Sequence, residues 1–259
     1  MTRHRLLSVV YWAAFAAFAL PLVLILLTSV AQGNVVGFPI QAFSLRWYAT
    51  ALLDPAYRRA FTLSAALAFT SAGLAVIAGT WIGLVAASLR SRWAEMVLMT
   101  GAVLPLVTPG VIHAVSLRIG IQIIGLEPGA VAILLGHAIH ATPYAAIMVR
   151  ARRATLPVEH IEVARVFGAG PVAMMIHVIG PWLSPALLGA GGLAALNSFD
   201  DFIRSFFLGG YNPTLPVLIF GRLRSGLTPE INAVSTLVLL VMGFGCIATA
   251  RAGTLRLPS

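Results

Sequence analysis

Asn197, Asp200, Asp201 and Arg204 recur three or four residues apart, the spacing that stacks side chains along one side of a helix. Such a ridge can work in two ways. Facing a water-filled cavity, Asp200 and Asp201 would attract a cationic solute, with Asn197 beside them as a hydrogen-bonding group. Alternatively, one of the two carboxylates pairs with Arg204 near an interface and the ridge is structural. His137 and His140 pose a related choice, because two histidines three residues apart on a helix can share a metal ion. No nearby cysteine or carboxylate completes a ligand set, so hydrogen bonds to neighbouring helices are favoured and no metal is expected. His113 and Arg118 are internal partners of the same kind or approach a pathway. A second polar group stands in "LPVEHIEVARVFGAG", Leu156 to Gly170, between two almost unbroken apolar runs.

Composition says what surrounds these residues. Of 259 residues, 59% are hydrophobic and 10% charged, against about 25% charged in an average soluble domain. That is the composition of a membrane protein. The net charge of +9 comes from arginines dispersed between apolar spans, whereas a nucleic-acid surface gathers them on one face, so no nucleic acid is expected. The sequence contains no lysine, which excludes a P-loop and a Schiff-base lysine from this chain. Any nucleotide hydrolysis that powers it must occur in a partner. The single cysteine, Cys246, excludes an intrachain disulfide and is expected to pack in an apolar run. Serines and histidines show no nucleophile-and-base spacing, so no enzyme is expected.

Within hydrocarbon, a long apolar run satisfies its backbone groups as a helix. Six such runs are predicted: about Leu6 to Ala31, Ala60 to Leu89, Glu95 to Ile124, Ala130 to Val149, Val172 to Phe199 and Ile231 to Ala250. The fold class is therefore all-α, a polytopic membrane protein with six transmembrane helices in one domain, residues 1–259. The first run exceeds the roughly 7 to 15 residues of a cleaved signal core and is expected to remain as a span. Pro105 and Thr108–Gly110 are expected to break or kink the third span. Arginines set the orientation. Arg3, Arg5, Arg90, Arg92, Arg150, Arg152, Arg153, Arg165, Arg251 and Arg256 fall on one side of the predicted spans, and Arg46, Arg58, Arg59, Arg222 and Arg224 on the other. Both termini are thus expected in the cytoplasm, and the outer segment Gln32 to Arg59 is expected to hold a short interfacial helix. Small-residue pairs such as Gly79 and Gly83, or Gly189 to Gly192, suit close helix packing, and with 24 glycines in the chain such spacings also arise by chance.

The charged segment reads as a helix of about three turns over 156–169. Thr155 is expected as its N-cap, Pro157 in its first turn, and Gly168 and Gly170 at its end. Glu159, Glu162 and Arg165 fall on one side, and His160, Val163, Ala164 and Phe167 form a more apolar stripe.

The text "EVARVFG" followed by "VIGP" resembles the cytoplasmic EAA signature of ABC importer permeases, with Glu162, Ala164, Gly168 and Pro181 at matching positions. Val163, Val178 and Gly180 depart from it. The stretches "SLRWYATALLDPAYRRAF", "GHAIHATPYAAIMVRAR" and "LNSFDDFIRSFFLGGYNPTLPVLIFGRLRSGLTPEINAVSTLVLL" resemble spermidine/putrescine permeases of the C type. The resemblance implies the type I ABC importer permease fold in a bacterial inner membrane. It also implies two ATP-binding subunits that hold ATP and magnesium, a second permease expected to be a different chain, and a periplasmic solute-binding protein. The charged segment would be the coupling helix, with Glu159, Glu162, Ala164, Arg165 and Gly168 as its ATPase-coupling residues. Ala164 and Gly168 would keep the contact side small, and Pro181 would kink the fifth helix. The solute would be a polyamine or another small polar compound. The alternative, an ion-driven secondary transporter, would require inverted repeats with paired broken helices, and no such repeat is visible.

Overall fold

A computed structural model describes residues 2–34, 37, 39–226 and 228–254, with side chains described from Leu7 to Ala248. Arg256, one of the arginines used for orientation, lies outside the described residues, and the side chains of Arg3, Arg5 and Arg251 lie outside the described side chains. The described chain is helical: α1 (Thr2–Ser29), α2 (Arg46–Leu53), α3 (Pro55–Ser88), α4 (Arg92–Val107), α5 (Gly110–Ile123), α6 (Ala130–Ala154), α7 (Val158–Val166), α8 (Pro171–Met174), a π-helical turn (Met175–Ile179), α9 (Gly180–Phe199), α10 (Phe202–Leu208), α11 (Leu215–Arg224) and α12 (Pro229–Thr254). Five helical stretches are long and apolar enough to cross a membrane, and α4 with α5 make a sixth if the pair crosses as one span. That pair bends by 106° at its break.

The break follows from its prolines. Pro109 has no N–H for the carbonyl of Pro105, one turn earlier. His140 Nδ1 stands 3.3 Å from that carbonyl oxygen and, as the protonated tautomer, donates to it. Thr108 Oγ1 donates to Leu104 O at 2.7 Å, closing the last turn of α4. Two element boundaries differ from expectation. α3 starts at Pro55, five residues before the predicted Ala60, because the Asp54 carboxylate accepts from Ala56 N at 2.7 Å and proline is suited to a first helical position. Thr155 closes α6 and does not begin α7: its N–H and its Oγ1 both donate to Arg152 O, at 3.2 and 2.8 Å.

The chain forms two compact units, Met1–Arg59 with Leu218–Gly243, and Ala60–Val217 with Phe244–Ser259. In the first, the end of α1 is tied to the short helix α2. Ser29 Oγ and Tyr48 OH share a hydrogen bond of 2.7 Å, and Trp47 Nε1 donates to Ala31 O at 2.9 Å. Asn232 of α12 donates to Thr28 Oγ1 at 2.8 Å. Arg222 joins Asp54, at 2.6 Å, to Glu230, at 3.2 Å. The Ala56 N–H holds the Asp54 carboxyl below its ordinary pKa, with Arg222 reinforcing it against partial burial.

In the second unit, α6 is the central helix, with α4, α5, α9 and α10 packed around it. One part of its packing is built from alanines and another from larger branched residues. Ala72, Ala75, Ala141 and Ala194 form one buried cluster, and Leu67, Ile121, Ala132, Ile133 and Leu208 another. Lipid tails give little hydrophobic drive for helix association, so close backbone approach supplies the contacts. A Cβ on Gly79 would stand 2.5 Å from Ala145 Cβ and 2.7 Å from Thr142 O, and one on Gly83 would stand 2.8 Å from Ala146 O. At Gly189, by contrast, a Cβ meets nothing within 4 Å. Gly79→Ala should therefore lower the thermal unfolding midpoint in detergent, an overpacking cost of about 1–3 kcal/mol. Gly73→Ala on the same helix, with nothing within 4 Å of the added carbon, should not. Equal melting of the two variants would refute the packing assignment.

Candidate functional site

Two polar regions of the second unit hold the residues singled out from the sequence. The first is the connection from α6 to α9. Pro157 stands at the N-cap position of α7, with φ and ψ of −60° and 138° and no side-chain cap. The helix ends in a left-handed glycine, Gly168 at φ +79°, with Gly168 N bonded to Arg165 O at 2.9 Å and Ala169 N to Ala164 O at 3.0 Å. This pair of bonds is the Schellman arrangement, in which glycine avoids the steric cost of a Cβ.

Glu159, Glu162 and Arg165 are all exposed on α7. Ala164 is not on that side: with Ile161, three residues earlier, it is partly buried, and α7 packs against the π turn. The apolar stripe expected from spacing is also divided. Val163 is 54% exposed and Phe167 85%, as is Val166 at 85%. The outward surface of α7 and its C-cap Phe167 thus combines two carboxylates with large apolar side chains, and none of the nine residues of α7 is buried.

The π turn leads into Pro181. Gly180 N donates to Met175 O, five residues back, and a Cβ on Gly180 would stand 2.8 Å from that oxygen. Gly180, one of the departures from the EAA signature, is therefore the residue this wide turn admits. Pro181, expected as the kink of the fifth span, follows the turn at the start of α9. Pro185 provides no N–H for Pro181 O, and Ser184 Oγ donates to that carbonyl at 3.0 Å.

Beside it lies a constellation that the sequence did not disclose. Arg152 Nε donates to Trp182 O at 3.0 Å, Trp182 Nε1 donates to Arg152 O at 3.1 Å, and the guanidinium carbon lies 4.5 Å from the indole centroid. The ring of His160 sits 6.0 Å from the indole of Trp182. Arg152 entered the sequence argument only as a charge; an indole directly after a proline at the foot of a span was the signal available.

The second region is the junction of α9 and α10. Asp201 caps α10, accepting from Arg204 N at 2.9 Å, and also pairs with the Arg204 side chain. His137 Nε2 lies 3.7 Å from the same carboxylate. Behind it, Ser71 Oγ donates to Ser198 Oγ at 2.9 Å, and Ser198 Oγ is 2.7 Å from His137 Nδ1. With Ser198 donating onward, Nδ1 accepts and Nε2 faces Asp201 and Ser205. Ser205 Oγ is 3.3 Å from that nitrogen. Asp201, Arg204, His137 and Ser198 are all buried.

The three pathway candidates therefore part company. Asp201, nominated beside Asp200 to attract a cation, is engaged by Arg204, His137 and the helix cap. Asp200 is exposed one residue beyond the span; desolvation by the surrounding protein raises its pKa, and the Asp201 charge raises it further. Asn197 donates to Leu193 O of its own helix at 3.3 Å. The two histidines diverge as well, His137 to Ser198 and His140 to the Pro105 carbonyl. Among the described residues, no three metal-ligating side chains come together. Arg118 donates to Phe207 O at 3.4 Å, as an internal partner.

Comparison with known proteins adds to this geometry. Residues 79–255 match the family described as binding-protein-dependent transport system inner membrane component. The spermidine/putrescine transport system permease protein PotC of Haemophilus influenzae is 28% identical over 244 residues, 93% of each chain. The putrescine transport system permease protein PotI of Escherichia coli (strain K12) is 32% identical over 212 residues, 78% of this chain and 74% of that protein. Among solved structures, a bacterial ABC transporter involved in the import of the acidic polysaccharide alginate has a chain similar at a TM-score of 0.73, covering 97% of this chain and 98% of its own, with 16% identity. The MetNI methionine ABC transporter, in an inward-facing conformation, has one similar at 0.66, covering 78% and 96%, with 19% identity. At these identities the structural likeness speaks for the fold.

Proposed function

We propose, from the premise that this chain belongs to the binding-protein-dependent transport system inner membrane component family and is a permease subunit of an ABC importer, that α7 is where ATP-driven motion enters it. The carrying observation is the surface of α7: Glu159 and Glu162 exposed beside Val163, Val166 and Phe167, on a short helix set between two apolar stretches. Large apolar side chains exposed beside acids mark a docking surface. A socket in an ATPase subunit would cover the apolar groups and offer basic or backbone donors to Glu162. Gly168 turns the chain back so that α7 stays a short protruding element.

The full reading is an assembly. Two ATPase subunits bind ATP and magnesium and engage the α7 helices of two permeases, the second being a different chain, while a periplasmic solute-binding protein delivers the solute. The whole chain, residues 1–259, serves as one permease domain in a bacterial inner membrane. The arginine asymmetry supports cytoplasmic termini and a cytoplasmic α7. An ion-driven transporter would need no such surface, and membership of the family sets that reading aside.

For the solute, the names of the PotC and PotI relatives support a polyamine such as putrescine or spermidine. Asp200 can meet such a cation, with Asn197 beside it, whereas Asp201 is held by Arg204. The likeness to an alginate importer carries no weight for solute, because one permease fold serves many chemistries.

Purification from native membranes in mild detergent tests the assembly. An ATPase subunit should accompany this chain, and its absence from the purified material would sink the reading. Calorimetric titration of the accompanying binding protein with putrescine, spermidine and a neutral amino acid tests the solute, with binding expected for a polyamine. Exclusive binding of the amino acid would reject it.

A further inference from the structure

The path from α7 into the spans runs through weak backbone. The π turn Met175–Ile179 has a widened hydrogen-bond ladder, Pro181 contributes no N–H to it, and Pro185 leaves the Pro181 carbonyl to a serine side chain. A helix interrupted in this way can flex at the turn without moving its far end. Since α7 packs on this turn, a displacement of α7 would be absorbed there unless a second connection carried it past.

The Arg152–Trp182 clasp is such a connection. Its two hydrogen bonds, 3.0 and 3.1 Å, run in opposite directions between the last turn of α6 and the first turn of α9, and the guanidinium covers the indole at 4.5 Å. Two antiparallel bonds with a face contact restrict rotation as well as separation. His160 brings α7 to the same indole, with ring centroids 6.0 Å apart and planes tilted by 39°. One side chain therefore touches groups from α6 and α7 while anchored in α9. Two residues before the clasp, Arg150 pairs with Glu95 of α4, which extends the linked group by another helix.

We infer that Trp182 is the positioning residue through which displacement of α7 reaches α6 and α9 together, bypassing the π turn. This rests on α7 being the ATPase-coupling helix. An indole suits the role because it is large, has few rotatable bonds and carries one N–H donor. A phenyl ring would keep the stacking and lose the reciprocal bond. On the helical wheel, His160 stands between the partly buried Ile161 and Ala164 and the outward Val163 and Val166, next to Phe167, so the clasp borders the docking surface while Glu159 and Glu162 lie further round the helix.

The test uses the complete importer in lipid vesicles, with its ATPase and binding-protein subunits, and needs no knowledge of the solute. The reporter is the rate of maleimide labelling of Asn197→Cys at the far end of α9, in a Cys246→Ser background. It is measured without nucleotide and after trapping with ATP and vanadate. The expected change between the two states is about tenfold with Trp182 intact, a common size for coupled sites. It should fall below about twofold in Trp182→Ala and to intermediate values in Trp182→Phe and His160→Ala, with the ATPase subunit still bound. His160 is exposed, so its replacement keeps the test open if Trp182→Ala does not assemble. A change of full size in Trp182→Phe and His160→Ala overturns the inference, as does a loss matched by equal loss of bound ATPase. Absence of any nucleotide-driven change with Trp182 intact would instead reject the coupling role of α7, and the inference with it.

Discussion

Glu162→Lys should release the ATPase subunit from this permease and reduce ATP-driven uptake by about a hundredfold. Removing one partner of a hydrogen-bonded charge at an interface costs about 2–5 kcal/mol, and reversing the charge adds repulsion from the same donors. A loss at the lower end already exceeds one order of magnitude, since about 1.4 kcal/mol is tenfold. The side chain is exposed on a helix without buried residues, so the unfolding midpoint of the isolated permease should stay within a degree or so of its original value. Quantifying the ATPase recovered with the variant separates these effects. Recovery and uptake at the original level would end the case for α7 as the contact, whereas a lowered unfolding midpoint would mean that Glu162 supports the fold.

Asp201→Ala should act in the opposite way, on stability first. The carboxylate caps α10, pairs with Arg204 and faces His137, and both Asp201 and Arg204 are buried. Its removal leaves a buried guanidinium without its partner, and breaking a buried pair in this manner costs roughly 3–5 kcal/mol. Asp201→Asn keeps a capping oxygen and should lose less. Asp200→Ala, at an exposed position beside it, should leave the unfolding midpoint nearly unchanged and lower uptake of a cationic solute. Thermal unfolding in detergent, followed through tryptophan fluorescence, distinguishes the neighbours. If Asp201→Ala melts with the unaltered protein, the buried network is not what holds the junction of α9 and α10.

These two expectations mark where the sequence was legible. The acids of α7 could be read because their surroundings are local: a helix of nine residues, a glycine to stop it and apolar runs on either side. Family text at Glu162, Ala164, Gly168 and Pro181 added a role that spacing alone does not contain. The broken third span and the short helix after α1 were equally local, following from Pro105, Pro109 and the amphipathic tryptophan and tyrosine of α2. Asp200 and Asp201 were indistinguishable by the same means. Adjacent aspartates have the same composition, and only the approach of His137 and Arg204 separates an exposed carboxylate from a buried cap.

The glycines repeat this lesson. Spacing proposed both Gly79 with Gly83 and the run Gly189 to Gly192 as contacts; backbone atoms of α6 stand within 3 Å of where a Cβ would stand at Gly79 and Gly83, whereas Gly189 is open and Gly191 meets a side chain, Val76, at 3.5 Å. Trp182 is the clearest case, because its partners lie 30 residues away at Arg152 and 22 away at His160. By itself, the sequence determined a membrane-spanning all-helical chain, the arginines dispersed between its spans, and the charged helix between its apolar runs. Hydrophobic periodicity, proline and glycine act over a few residues, so they leave a readable local trace. Tertiary structure decided which carboxylate is sealed, which glycines touch and which indole joins three helices. Those outcomes depend on the helix that closes over each side chain, and side-chain spacing along one helix carries no record of its neighbour.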